Sequence, residues 1–332
     1  MGIALAIHGG AGTILRSQMT PALEAEYRHG LETALKIGWG ILENGGSSLD
    51  AVESTVCSLE DFPLFNAGRG AVFTHEGKVE LDAAIMDGHN LKAGAVTFVK
   101  NIKNPVKLAR LIMENTEHIL LAGEGANQFA EQMGVKTEPD EYFFTEHRWL
   151  QLQEAMADGR VQLDHSSEVP SPKSQAPSQA AGSGTLDLGL GTKPIGTVGA
   201  VACDSQGHLA AATSTGGMTN KKFGRVGDTA IIGAGTYADE TCAVSCTGHG
   251  EYFMLAATAY DVAARMKYKG LNLLEAAQEA IDRLTAIEGE GGLIAVDFKG
   301  NVTMAFNSEG MYRGSILSKT EPLIEIYKSR RK

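Results

Sequence analysis

The spacing of apolar positions changes several times along the chain, and each change marks an element. Leu49, Val52, Val56 and Leu59 recur every three or four residues, which is one face of a helix. The Ser47-x-x-Asp50 start caps that helix and Pro63 ends it. A longer helix is predicted from Pro21, whose ring suits a first turn, to the Asn44-Gly45-Gly46 stop. Strand-like runs follow at Ala71–Thr74, Val79–Met86 and Gly94–Val99, the first two joined by a turn at Glu76-Gly77. Asn104-Pro105 opens another helix, with further helical stretches near Gly125–Gln132 and His147–Ala157.

The second half contains an internal echo: Gly199 to Leu209 and Gly292 to Val302 both read as strand, glycine turn, strand. Their central residues are small or apolar at successive positions, so both faces should be buried. Between them lie two helical stretches, one over Glu251–Lys267 and one behind the capping box Asn272-x-x-Glu275. Buried hairpins with paired helices predict two sheets packed together with helices outside, in preference to a doubly wound parallel sheet.

Between about Val161 and Thr192 the pattern stops. Residues 166–184, rich in Ser, Pro, Gln and Ala, have almost nothing to bury and read as a flexible linker. The chain of 332 residues is otherwise of ordinary globular composition, 43% apolar and 21% charged, with 40 glycines that point to many tight turns. A net charge of −11 argues against nucleic acid as a partner. The one basic cluster, Lys328, Arg330, Arg331 and Lys332, reads as a solvated tail. No apolar run is long enough to cross a membrane, and Gly2 to His8 reads as a buried strand rather than a signal sequence, so a cytoplasmic location is expected. Cys57, Cys203, Cys242 and Cys246 lack zinc-type spacing and are expected to be buried thiols, with Cys242 and Cys246 on one face of a strand.

Candidate chemistry concentrates where the linker ends, at Pro194-Ile195-Gly196-Thr197-Val198-Gly199. A threonine here can simply start a strand, as β-branched residues do. A break before Thr197 would instead leave its hydroxyl beside a free α-amine, a general base whose ordinary pKa is about 7.7–8.0. The same hydroxyl could make the cut by attacking the Gly196 carbonyl.

Gly196-Thr-Val-Gly-Ala-Val, Ala212-Thr-Ser-Thr-Gly-Gly-Met218-Thr-Asn, Gly224-Arg-Val-Gly-Asp228 and His8-Gly-Gly-Ala-Gly12 together resemble the plant-type asparaginases, or isoaspartyl peptidases, of the N-terminal nucleophile hydrolases. The likeness covers nearly the whole chain apart from the linker. It implies an α+β fold, a four-layer αββα sandwich with two antiparallel-rich sheets between helix layers. It also implies self-cleavage into an α subunit (1–196, ending in the linker at about 161–192) and a β subunit (197–332). Both would form one domain and pair as an (αβ)2 heterotetramer. The implied activity is removal of β-aspartyl residues from dipeptides and hydrolysis of L-asparagine.

The resemblance implies a role for each matching residue. Thr197 is the nucleophile and Thr215 tunes it. Arg225 and Asp228 hold the substrate's α-carboxylate and α-ammonium, a division that suits a guanidinium and a carboxylate. Thr247 and Gly248 form the oxyanion hole, Gly250 lines the amino-acid pocket, and Asn66 reaches the nucleophile. His249 stands where bacterial relatives often carry a small residue, which bears on leaving-group choice. His8 is expected to be structural, since the α-amine already supplies the base, and the glycines that follow it would let the Leu59–Arg69 loop pack beside the site. No cofactor is required. A structural sodium ion is implied on the main-chain carbonyls of Leu59, Glu60, Phe62, Phe65, Ala67 and Arg69.

The sequence contains no dinucleotide or P-loop glycine pattern, no His-Glu-x-x-His and no Gly-x-Ser-x-Gly. The remaining alternatives are a glycosylasparaginase acting on sugar-linked asparagine, a protein-cleaving relative of the taspase type, and an uncleaved scaffold that is not an enzyme.

Overall fold

The structure, a computed structural model, describes residues 2–157, 196–318 and 320–328. The linker predicted at about 161–192, and the last residues of the basic run, lie outside the described residues. The first part contains β1 (Ala4–Gly12), α1 (Pro21–Glu43), α2 (Ser48–Glu60), β2 (Leu81–Asp87), β3 (Lys92–Val99), α3 (Pro105–Asn115), β4 (Leu120–Ala122), α4 (Gly123–Gln132), α5 (Asp140–Phe143) and α6 (Glu146–Ala157). After residue 196 come β5 (Val198–Cys203), β6 (Leu209–Thr215), β7 (Thr236–Ala238), β8 (Cys242–Gly248), α7 (Gly250–Ala256), α8 (Thr258–Lys269) and α9 (Leu273–Ala286). They are followed by β9 (Gly291–Asp297), β10 (Val302–Phe306), β11 (Gly310–Leu317) and β12 (Leu323–Tyr327).

These strands form an eight-stranded sheet, β12-β11-β1-β5-β6-β2-β3-β4, and a four-stranded sheet, β10-β9-β8-β7. All neighbours are antiparallel except β3 and β4. The fold is therefore mixed α and β with two sheets, and both echoing segments are hairpins, β5–β6 and β9–β10. β1 pairs with β11 on one side and β5 on the other, so the parts before and after residue 196 share one sheet.

Alternation along the strands sorts side chains into layers. On β1, Leu5 and Ile7 join a core shared with α1, α2 and α3, while Ala4 and Ala6 face the other sheet. On β5, Ala200 and Ala202 take the helix side, and Val201 and Cys203 the inter-sheet side. In the small sheet, Cys242, Val244, Cys246, Leu293 and Ala295 pack against α8 and α9, while Ala243, Ile294 and Val296 face inward. Small side chains in the middle layer let the sheets approach closely. All four cysteines are buried free thiols, and Cys242 and Cys246 share a face as expected.

The helix signals hold locally. Thr20 and Ser47 cap α1 and α2 through side-chain oxygens, and Asn272 with Glu275 forms the predicted capping box on α9. Two expectations fail. Ala71–Thr74 is not a strand: its amides bond to loop acceptors, Ala71 to Gly68 O and Val72 to Asn66 Oδ1, and one bridge joins Thr74 to Lys221. The turn at Gly77 does form, closed on Thr74 O. The helix predicted over Glu251–Lys267 is two helices, α7 and α8, broken at Ala257 with φ +48°. The first amides of α8, at Ala259 and Tyr260, donate to the carbonyls of Ala234 and Gly233, so a distant loop restarts the helix.

Candidate functional site

The inter-sheet layer is apolar through Ala4, Ala6, Val201, Ala211 and Ala243, then becomes polar. Two residues further along the same faces come His8, Gly199, Thr213 and Ser245, and beyond them Thr197, Thr215 and Thr247. Strand periodicity thus gathers the hydroxyls predicted to matter at one end of the interface between the sheets.

A cavity opens there. Six sequence-predicted residues line it together: Gly196, Thr197, Thr215, Arg225, Asp228 and Gly248. Thr197 sits one residue before β5 and is 7% exposed. Its Oγ1 donates to Thr215 Oγ1 at 3.2 Å, and the same oxygen of Thr215 accepts from Gly217 N–H at 3.0 Å. Asn66 does not line the cavity. It acts one bond back, donating Nδ2–H to Gly217 O at 2.8 Å while its own carbonyl accepts from Gly216 N–H.

Arg225 and Asp228 lie on the same wall without forming the ion pair their spacing allows. Arg225 instead donates through Nε and Nη2 to the two oxygens of Glu251, each at 2.8 Å. Burial pushes the Glu251 carboxyl up, but the Arg225 bonds and charge outweigh it and hold the group below its usual value. Asp228 is 4% exposed, and its Oδ2 has no hydrogen-bond partner. Burial raises its pKa to about 7, against the opposing pull of Arg225. A buried carboxylate oxygen without a donor is costly, and a cationic group entering the cavity would relieve that cost. Gly250 packs beside the pair, where a β-carbon would fall 2.8 Å from Asp228 Oδ1 and 3.0 Å from Arg225 Nη2.

Thr247 lies behind the cavity wall, fully buried, and its Oγ1 accepts from Ala11 N–H at 3.3 Å. Gly248 reaches the cavity with φ +147°. His249 caps the start of α7 half-buried, 3.4 Å from Glu251 and edge-on to the Tyr252 ring, and burial lowers its pKa. His8 is fully buried, between Thr197 O and Ser245 Oγ.

The six predicted carbonyl ligands lie on the tight turn that closes α2. Phe62, Phe65 and Ala67 carbonyls each accept one backbone amide, from Phe65, Ala67 and Gly70, while Leu59 O accepts from Phe62 and Asp61. Phe62, Phe65 and Ala67 each keep a second lone pair. Buried Arg148 grips the turn through Gly70 O and Leu64 O, neither of them in the predicted set. The donor chemistry, neutral oxygens free of that cation, fits a hard monovalent ion.

Sequence reasoning missed Glu251, and it missed the lining residues Gly217, Met218, Gly227 and Thr229. Gly217, Met218, Gly227 and Thr229 stand within or beside the quoted motifs, so the motifs themselves were the available signal. Glu251 follows Gly250 directly but lies 26 residues from Arg225, with nothing in the sequence to join them.

The sequence model of the asparaginase family matches residues 1–324. An isoaspartyl peptidase of Salmonella typhimurium is 49% identical over 326 residues, covering 98% of each chain. An isoaspartyl peptidase of Escherichia coli is 47% identical over 98% of this chain and 96% of its own. A plant-type L-asparaginase of Pyrococcus abyssi is 43% identical over 93% and 94%. With that model spanning every strand of the large sheet but the end of the last and every segment that lines the cavity, the chain belongs to the asparaginase family.

Proposed function

We propose that this chain cuts its own Gly196–Thr197 bond and then acts as an isoaspartyl peptidase and L-asparaginase with Thr197 as nucleophile. The observation that carries the reading is the shared cavity. It sets a buried threonine hydroxyl, at a residue preceded by glycine, against an arginine and a buried carboxylate of opposite charge. The names of the similar enzymes from Salmonella and Escherichia coli support the substrate class.

In the first reaction Thr197 Oγ attacks the Gly196 carbonyl carbon and the acyl group moves from nitrogen to oxygen. Water then hydrolyses the ester, leaving a carboxylate on Gly196 and an amine on Thr197. That amine takes the Oγ proton in each later turnover while Oγ attacks the substrate's side-chain carbonyl. The oxyanion is assigned to the Thr247 hydroxyl and Gly248 N–H. Thr247 Oγ1 accepts from Ala11, which leaves its proton for donation. The amine returns its proton to the departing ammonia or peptide amine, and water hydrolyses the aspartyl ester. Arg225 holds the substrate's α-carboxylate, Asp228 its α-ammonium, and Thr215 and Asn66 keep the nucleophile oriented.

The two sheets with helices on their outer sides are read as the four-layer αββα sandwich. The shared strand pairing of β1 with β5 and β11 supports one domain whose two fragments stay together after the cut. A sodium ion on the Leu59–Arg69 turn would stiffen the loop that carries Asn66. An (αβ)2 assembly and a cytoplasmic location complete the proposal. Among the described residues no helix is long and apolar enough to cross a membrane. The test is parallel assay of ammonia release from L-asparagine and of hydrolysis of a β-aspartyl dipeptide. Turnover of either supports the reading, and turnover of neither by cut protein refutes it.

A further inference from the structure

Behind the nucleophile runs a buried chain of polar side chains that the reaction as described does not use. His8 Nδ1 lies 3.0 Å from Thr197 O and His8 Nε2 lies 2.8 Å from Ser245 Oγ. Ser245 Oγ is 2.7 Å from Thr213 Oγ1, and Thr213 Oγ1 is 2.7 Å from Thr236 Oγ1. Thr236 Oγ1 lies 3.0 Å from the carbonyl of Thr229, which itself lines the cavity. We propose that His8 is a positioning residue for Thr197: its imidazole, carrying its proton on Nδ1, clamps the Thr197 carbonyl and so fixes where the hydroxyl and amine of that residue point. The inference rests on Thr197 being the nucleophile.

The direction of the bonds at the ring follows from one fact, that a carbonyl oxygen can only accept. Nδ1 must therefore carry the proton that meets Thr197 O. A neutral ring then has Nε2 bare, so Ser245 donates to it. Ser245 has spent its one proton and accepts from Thr213, which in turn accepts from Thr236, whose single proton is shared with the Thr229 carbonyl. The reversed chain, with Nε2–H donating outward through Ser245 and Thr213, needs a doubly protonated ring. Full burial opposes that charge and takes His8 down to about 3.

The local sequence is fitted to this ring. His8 on β1 stands directly opposite Gly199 on β5. A β-carbon at residue 199 would overlap both His8 Nε2 and Ser245 Oγ, so the imidazole occupies space that only glycine leaves. The clamp matters most once the chain is cut. Thr197 then becomes a chain end ahead of its strand, and chain ends fray unless held. Its hydroxyl is the reacting group, which leaves the carbonyl as the part of residue 197 that can be gripped throughout. Because the amine, the side chain and the carbonyl share one Cα, fixing the carbonyl limits the other two, and a misplacement of about 1 Å can cost about a hundredfold in rate.

Nitrogen NMR of the imidazoles in the cut wild-type enzyme tests the tautomer directly. The expected result is His8 with a protonated Nδ1, a bare Nε2 and no titration between about pH 5 and pH 9. A proton on Nε2, or an imidazolium in that range, overturns the proposal. Two variants test the role, with rates counted per mole of cut chain. In His8→Asn the amide nitrogen falls near the place of Nδ1 and still reaches Thr197 O; in His8→Gln it falls near Nε2 and does not. His8→Asn should lose less than about tenfold in kcat and His8→Gln about a hundredfold, with KM within about threefold in both. Equal losses in the two variants, or a loss carried by KM, overturn it. If neither variant folds, the wild-type spectrum still decides. The Thr197 reading fails separately, by the absence of a new Thr197 terminus in the wild type, and that terminus can be present while His8 shows the wrong tautomer.

Discussion

Glu251 holds Arg225 side-on: its two carboxylate oxygens take Nε and Nη2 at 2.8 Å each. Nη1 is left on the side of Gly227 and Gly217, both cavity residues. A substrate carboxylate can therefore meet the guanidinium end-on while Glu251 keeps its plane fixed. Arg225→Ala should lower kcat/KM by about 10²–10³, chiefly through KM, as expected for loss of a charged anchor worth about 2–5 kcal/mol. Steady-state kinetics on a β-aspartyl dipeptide checks this, and an unchanged KM would remove Arg225 from the anchor role.

Asp228 must be ionised to accept from a substrate ammonium, yet burial raises its pKa to about 7 in the free protein. The profile of kcat/KM, which reports free-enzyme ionisations, should fall on the acid side with a midpoint near that value. Asp228→Asn should abolish tight binding and reduce the acid limb from two protons to one, the remaining one belonging to the Thr197 amine. A wild-type kcat/KM that stays flat down to about pH 5 would contradict the assignment.

Glu60, fully buried at the end of α2, is pushed up to about 8 by burial, against the hydrogen bond that its Oε1 accepts from Val106 N–H. A carboxyl raised in the folded state keeps a proton that the unfolded chain releases. Stability therefore falls as pH climbs from the ordinary carboxylate value through about 8. Glu60→Gln keeps an oxygen for Val106 N–H and cannot ionise. Its urea midpoint should decline less than the wild type's between pH 6 and pH 8, about the upper half of that window. Equal declines would show that Glu60 is not the group responsible.

Gly248 combines φ +147° with a neighbour that leaves no room, since a β-carbon would lie 2.6 Å from Gly291 Cα on β9. Gly248→Ala should cost at least about 1–3 kcal/mol from backbone strain alone and lower Tm accordingly. A melt matching the wild type would contradict the strand geometry at the cavity edge.

What the sequence makes legible divides by the range of the interactions involved. Ser47 and Asn272 announce their helices because a cap acts within three residues. The hairpins β5–β6 and β9–β10 are legible because a glycine turn and alternation suffice. Thr197, Arg225 and Asp228 came from ordered motifs, and the cavity brings all three together. The run Ala71–Thr74 looks like a strand because buried apolar residues do so whether or not a partner ladder exists. The break at Ala257 depends on acceptors at Gly233 and Ala234, and Glu251 depends on Arg225, contacts that no local pattern encodes. The linker lies outside the described residues.

The claim on which the whole account turns is that residue 197 becomes a free amino terminus. Sequential degradation of the purified, active protein should release Thr-Val-Gly-Ala alongside the original start, and Thr197→Ala should remain one inactive, uncut chain. Active protein that yields only the Met1 or Gly2 start would contradict the account.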